Sequence, residues 1–505
     1  MFGTRIRRHV LWALMALALL VPAATAVEQI PDLPSDEWQA LFVGTKRVGY
    51  MHMEMRQDGD VIVTSCEMKV TMRRFRTEVT VRMAEVSRER VDGTPLSFET
   101  VQETSGVEIR TTGTIADGKL HLVTEQGGRR REKTVEWNAD ALFPYALDQK
   151  TRSLDLTPGT EVTVTVFSPD VSVSKPTQMT MKVIGPDAVD VLGVKHEAVK
   201  VESRVSALPG MTQQLWLDSR GDLLVSEMSL MGLRTVRCTK EYALAKVEPA
   251  ELMASIMVTP DKPILFAGRL KRLVLKLSTE DGSPFAIEVL SEGHQRVVER
   301  TEESVTIEIS REAAASEEES LEPYLARSTY LDCEDERIIA AAKAAVASVP
   351  AGDEADAWHK ARALRRAVHK LIKHKDFAVA IATASEVIET KKGDCTEHAV
   401  LLAAMARAQS IPARVAIGLM YIGGRFGYHM WTQVYVGGAW RDLDAVLPGR
   451  DFDAAHVRLA TSALADGEAM LGLAAFASVF GNLKIEVLER EYMPRKGAAE
   501  RYKEE

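Results

Sequence analysis

Three residues in the last third of the chain have the types and order that thiol chemistry needs: Cys395, His429 and Asp444. Cys395 heads an apolar, Ala-rich tract (395–409) and directly follows Gly393 and Asp394. Glycine permits a sharp approach of the chain, and aspartate is a preferred helix cap. The cysteine is therefore expected at a helix N-terminus, where unpaired amides and the macrodipole favour a thiolate. A thiolate is the nucleophilic form of the side chain. The same amides are placed to receive an oxyanion.

His429 and Asp444 fall in strand-like tracts that follow this helix. After Ile411-Pro412 come 413–421, 429–436 and 440–446, and Gly437-Gly438 is a two-residue hairpin signal between the last two. Centring the turn there sets Trp431 opposite Asp444 and leaves His429 on the same face as its diagonal neighbour. Diagonal neighbours lie roughly 7–8 Å apart at the backbone, within reach of these two side chains. Asp444 can then hold one imidazole nitrogen while the other faces the thiol, so that nucleophile, base and orienting carboxylate come together. Asp442 projects from the same face, and parity alone does not choose between it and Asp444; Asp444 is preferred as the closer diagonal partner of His429 in this register. His398, one helical turn after Cys395, is a competing base, but its side chain is expected to point along the helix axis, away from a substrate at the helix tip. Glu397 reads as a first-turn partner of the helix dipole. Each residue taken singly also has a bland reading, as an inert buried cysteine or a satisfied core histidine.

Three blocks of this region, GDCTEHAVLLAAMARAQSIPARVAIG, YHMWTQVYV and AWRDLDAV, resemble the bacterial transglutaminase-like superfamily. They match its Gly-x-Cys block opening a helix, its His-x-Trp strand and its Trp-x-x-Leu-Asp strand, in order, and 382–390 (ATASEVIET) is similar to the usual lead-in. The separations are 34 residues from 395 to 429 and 15 from 429 to 444. The resemblance covers about 330–450. It implies a C-terminal papain-like core, in which a helix bearing the cysteine packs on an antiparallel sheet; with the β-rich tracts upstream, the chain is expected to be α+β, one or more large antiparallel β domains preceding that core. It implies Cys395, His429 and Asp444 as a triad acting on a peptide or protein substrate, and no cofactor. Thr396 follows the cysteine where the animal cross-linking enzymes have Trp, which points away from glutamine–lysine cross-linking. Nothing marks an amine-acceptor site, so hydrolysis is preferred to transamidation.

Helices must hold these blocks from the other side. Residues 334–349 are Ala-rich with apolar spacing of three and four. Residues 353–373 form an amphipathic pattern with Trp358, Ala361, Leu364, Ala367, Val368, Leu371 and Ile372 on one face. His359, His369 and His374 read as surface residues, and no zinc-type spacing occurs anywhere. Upstream, 38–247 reads as β: tracts rich in Val, Thr and Met, several alternating in polarity, divided at Asp92-Gly93, Asp117-Gly118, Pro158-Gly159 and Gly185-Pro186. That pattern suits an antiparallel meander with one wet face. A second β segment shows strands near 269–276, 285–290 and 304–309, with a turn at Asp281-Gly282, and then an acidic connector (311–322).

The expected organisation is a signal peptide at 1–26, a β-rich domain at 27–250, a small β domain with its connector at 251–322, and the catalytic domain at 323–505. The signal rests on Arg5, Arg7 and Arg8, the apolar run 10–21 and the small-x-small site Ala24-Thr25-Ala26. It predicts a secreted or periplasmic protein with no transmembrane span in the mature chain. A net charge of −9 gives no reason to expect nucleic acid or anionic lipid as partner. Four cysteines (66, 238, 333 and 395) allow one bridge, for which Cys66–Cys238 is the expected pair. The rival functional class is a binding or scaffold protein whose large β portion engages an envelope partner.

Overall fold

The computed structural model describes residues 35–494, except for 374–381, 466–481 and several shorter internal stretches. The signal segment 1–26, His374 and most of the Ala- and Leu-rich stretch 459–477 lie outside the described residues. Among those described, no helix is long and apolar enough to cross a membrane. The chain divides into two compact units, at Leu252 and Met253.

The first unit is one 15-stranded sheet. Successive strands pair antiparallel from Ser35–Val43 through Arg129–Glu136, and again from Glu161–Val166 through Leu233–Cys238. The halves join where Ser35–Val43 pairs with Leu233–Cys238. Period-two patterning drives burial: in Lys46–Asp58, Met51, Met53 and Met55 point inward between half-exposed neighbours. Turns fall at Asp92-Gly93 and Asp117-Gly118. Gly185-Pro186 is not a turn. It is a bulge inside the strand Thr177–Val191, where the register shifts between Val183 and Gly185 and the backbone of Gly185 takes φ +136°.

None of the four cysteines is in a disulfide, so the expected Cys66–Cys238 bridge is absent. Cys66 sits opposite Met53, Cys238 sits opposite Trp38, and the two strands carrying Met53 and Trp38 lie between them. Three strand spacings of about 4.8 Å far exceed the roughly 7 Å limit for a bridgeable pair.

In the second unit the expected division at 322 disappears. Leu270–Thr279 pairs on one side with Ser304–Ala314 and on the other with Leu483–Tyr492, so the segment read as a small β domain shares a sheet with the far end of the chain. Ile485, Val487, Leu273, Leu275 and Ile307 are buried in the same core as the helices. The tract 285–290 is not a strand; Phe285, Ile287 and Val289 enter that core from an irregular segment, and the next strand is Gly293–Arg300.

A second four-stranded antiparallel sheet runs in the order Trp440–Leu443, Arg425–Tyr435, Ala413–Ile422, His456–Ser462. The helices Glu336–Val346, Glu354–Leu371, Ala384–Thr390 and Cys395–Arg407 contribute to the same core. From Thr396 to Arg407 every residue of the last helix is buried, and Ala399, Val400 and Leu402 join a cluster that includes Val415, Ile417, Met430 and Val434 of the sheet.

Candidate active site

The helix Cys395–Arg407 is fixed at both ends. Asp394 is its N-cap: its carboxylate accepts from the Thr396 amide (2.9 Å) and hydroxyl (2.6 Å). Glu397 completes a capping box by accepting from the Asp394 amide (2.8 Å), and its other oxygen accepts from the Ala382 amide (3.1 Å), tying the lead-in segment to the helix tip. This needs glycine at 393, where φ is +148° and an added Cβ would lie 2.2 Å from Glu397 Cβ. Burial, with Asp394 beside it, pushes the Glu397 carboxyl up. At the other end, buried Arg407 donates to the carbonyl of Ala413 from Nε (3.0 Å) and Nη2 (2.8 Å), stitching the last turn to the next strand. A cation there also complements the negative end of the dipole. The cap engages the amides of Thr396 and Glu397. The oxyanion expectation therefore does not fall on these two amides.

The hairpin positions His429. Tyr435 pairs with Trp440 and Gln433 with Asp442, the register expected from a turn at Gly437-Gly438, whose φ values of +63° and +71° suit a tight hairpin. His429 Nε2 lies 2.9 Å from Asp444 Oδ2 in a buried setting. A carboxylate only accepts, so Nε2 carries the proton and Nδ1 is the nitrogen left for chemistry. The strand touches the helix three residues further on, where Thr432 Oγ1 donates to the carbonyl of Ala399 (2.9 Å), one turn below Cys395.

Asp442 and Asp444, equivalent by parity, are separated by their partners. Asp442 Oδ1 accepts from Trp431 Nε1 (2.6 Å) and Gln433 Nε2 (2.9 Å), which makes it a support of the strand. Asp444 Oδ1 accepts from the Val446 amide (2.8 Å), leaving Oδ2 to the imidazole. Burial would raise the Asp444 carboxyl, but the charge and hydrogen bond of His429, joined by those of His456, outweigh it and hold it well below the usual range. His398 is buried with Nδ1 2.5 Å from the Asp394 carbonyl, and burial lowers its basicity.

Three residues around Asp444 escape sequence reasoning. Arg365, buried on the helix Glu354–Leu371, donates from Nε to the Asp444 carbonyl (2.9 Å) and from Nη2 to the carbonyls of Leu447 and Arg450. His369, expected at the surface, is half-buried, with Nδ1 2.8 Å from the Ala445 carbonyl. His456 Nε2 lies 3.2 Å from the same Asp444 Oδ2 that His429 uses. Its only local signal is Asp453, three residues earlier, which reads as an ordinary turn former.

His429, Asp444 and His456 thus bring three donor atoms within 4.8 Å of one another, a convergence that spacing along the chain did not foretell. Both imidazole–carboxylate gaps are hydrogen-bond lengths, so protons account for the cluster as it stands.

The Transglutaminase-like superfamily model matches residues 343–445. No curated protein matches the chain. Among solved structures, the chain is similar to a candidate cysteine protease of Cytophaga hutchinsonii (18% identity, 45% of this chain and 93% of that one, TM-score 0.31). It is also similar to a β-barrel-like protein of a domain of unknown function from Brucella abortus (14%, 41% and 96%, 0.31) and a candidate protease of Parabacteroides distasonis (12%, 69% and 68%, 0.19). The stretch holding Cys395, His429 and Asp444 belongs to the transglutaminase-like superfamily.

Proposed function

We propose that the chain is an exported thiol enzyme that transfers acyl groups from peptide or protein amides, with water as the preferred acceptor. One observation carries the reading. A buried imidazole is held by a carboxylate at 2.9 Å, on a strand hydrogen-bonded to the helix that Cys395 opens. The superfamily match over 343–445 supports it.

His429 Nδ1 takes the proton of the Cys395 thiol, and the thiolate attacks the amide carbonyl carbon. The resulting oxyanion is received at the Cys395 amide. As the C–N bond breaks, the imidazolium returns its proton to the departing amine, leaving a thioester. Water, deprotonated at the same nitrogen, attacks that thioester. The acid departs and the thiol is restored. Asp444 stays ionised throughout, fixing the tautomer and stabilising the imidazolium.

The basic, apolar, small-x-small pattern of residues 1–26 supports action in the periplasm or outside the cell. The N-terminal β unit would then engage an envelope partner. The test is incubation of the mature protein with a peptide library, with and without a primary amine, followed by mass spectrometry against Cys395→Ala. Hydrolysed peptides that vanish in the variant are expected. Amine adducts in place of acids would reverse the acceptor, and no difference from Cys395→Ala would remove the enzyme reading.

A further inference from the structure

His456 is fully buried, and both of its ring nitrogens face oxygen. Nε2 lies 3.2 Å from Asp444 Oδ2, and Nδ1 lies 3.0 Å from Asp453 Oδ1 and 3.1 Å from the Asp453 carbonyl. A neutral imidazole has one N–H and would set a lone pair against one of two buried carboxylates. A doubly protonated ring satisfies both. The rest of its surroundings are aromatic: Trp431 packs edge-on (ring centroids 5.2 Å) and Phe452 lies at 4.9 Å. The other charged or titratable groups are one step removed. Arg450 pairs with Asp453 (2.9 Å), Arg365 holds the Asp444 backbone, His294 sits behind Phe452, and His429 lies 5.5 Å away between ring centroids.

Resting on the triad reading above, we infer that His456 is a positioning residue, a fixed imidazolium that shares Asp444 Oδ2 with His429 and thereby limits how tightly the base holds its proton. Burial opposes the charge on His456, but the bonds to Asp444 and Asp453 outweigh it and push the ring up to about 10, so it stays charged across the neutral range. Two consequences follow for the reaction. Asp444 is kept ionised and aimed, because a second donor anchors the oxygen that His429 uses. The carboxylate is also partly neutralised, so an imidazolium at 429 gains less from it and hands its proton to a departing amine more readily. An Asp444 shared with nothing would favour a base that clings to the proton it has to return.

The test is the pH profile of Cys395 alkylation by iodoacetamide in the full chain, followed on the Cys395 peptide by mass spectrometry, for wild type and His456→Gln. Wild type is expected to show a lower step where the thiolate forms and an upper step where His429 loses its proton. Glutamine keeps an N–H donor but no charge. Removing a cation 5.5 Å from the base moves the upper step to higher pH by about two units at an effective dielectric near 20. A packing role alone would scale the rate at every pH and leave the step where it was. An unmoved upper step in folded His456→Gln overturns the proposal. If that variant does not fold, His456→Asn decides: it too keeps an N–H donor without the charge, and the upper step must again move upward. A wild type whose Cys395 shows no pH step overturns the triad reading along with this one, whereas a stepped wild type with unmoved variants overturns this one alone.

Discussion

Gly393→Ala should misplace the nucleophile without touching any triad residue. At φ +148° an L-residue is strained by about 1–3 kcal/mol. The new Cβ would sit 2.2 Å from Glu397 Cβ and 2.4 Å from its Cγ. These atoms are at the root of the side chain, so swinging the carboxyl tip away does not relieve the clash; the whole residue has to move. Moving it releases the Asp394 and Ala382 amides, two buried bonds to a carboxyl worth about 1–2 kcal/mol each. The sum is about 3–7 kcal/mol. For a unit of roughly 250 residues that corresponds to a fall of about 10 °C in the transition that reports it. Scanning calorimetry on the full chain reads this, and the amidase assay reads the displaced helix tip as a drop of about 100-fold in kcat/KM. A Gly393→Ala protein within about 1 kcal/mol of wild type, with its activity intact, would refute the account of how this helix is capped.

Asp444→Asn should lower kcat/KM by about 10³–10⁴-fold while leaving the fold in place, because the amide no longer fixes the tautomer of His429; circular dichroism beside peptide turnover separates the two effects. Stability should depend on pH from both sides of this cluster. His456 is raised in the folded state, so its contribution is complete below about pH 6.5 and is lost as pH rises towards about 10. Asp444 is depressed, so its contribution is present above its ordinary range near pH 4 and lost as pH falls further. The part of the stability that depends on His456, read as the difference between wild type and His456→Gln in denaturant melts, should therefore hold up to about pH 6.5 and fall above it, while the raised Glu397 carboxyl adds the same loss above its ordinary range to both proteins. Thiol titration in denaturant without reductant should find four free thiols; a value of two would restore the bridge that the strand order excludes.

The placement of the candidate residues was legible wherever its signals are local. The cap, the glycine before it and the tight hairpin each lie within a few residues of the group they position, and the turn at Gly437-Gly438 set the pairing of Gln433 with Asp442. The register favoured Asp444 over Asp442 as the closer diagonal partner of His429, but that the Trp431 indole occupies Asp442 is something strand parity does not contain. His456 was invisible for a topological reason: its strand lies on the far edge of the sheet, two strands from the hairpin, and reaches Asp444 only after the chain has turned back through 447–455. The same blindness hid the partnership of Leu270–Thr279 with Leu483–Tyr492, since nothing in either tract names a companion more than 200 residues away. Gly185 misled for the opposite reason, because a bulge and a turn use the same residue types.

That long-range pairing governs how the second unit can be made. Leu483, Ile485 and Val487 close the hydrophobic interior over Leu273, Leu275 and Leu277, so a nascent chain that has emerged only to about residue 480 holds an uncovered strand edge and an incomplete core. Contacts of such sequence separation are slow to form because the loop must close before any of them reward it. Synthesis therefore delivers the thiol, the base and the carboxylate well before the polypeptide can lock them into shape. Assembly of the second unit waits on Leu483–Tyr492.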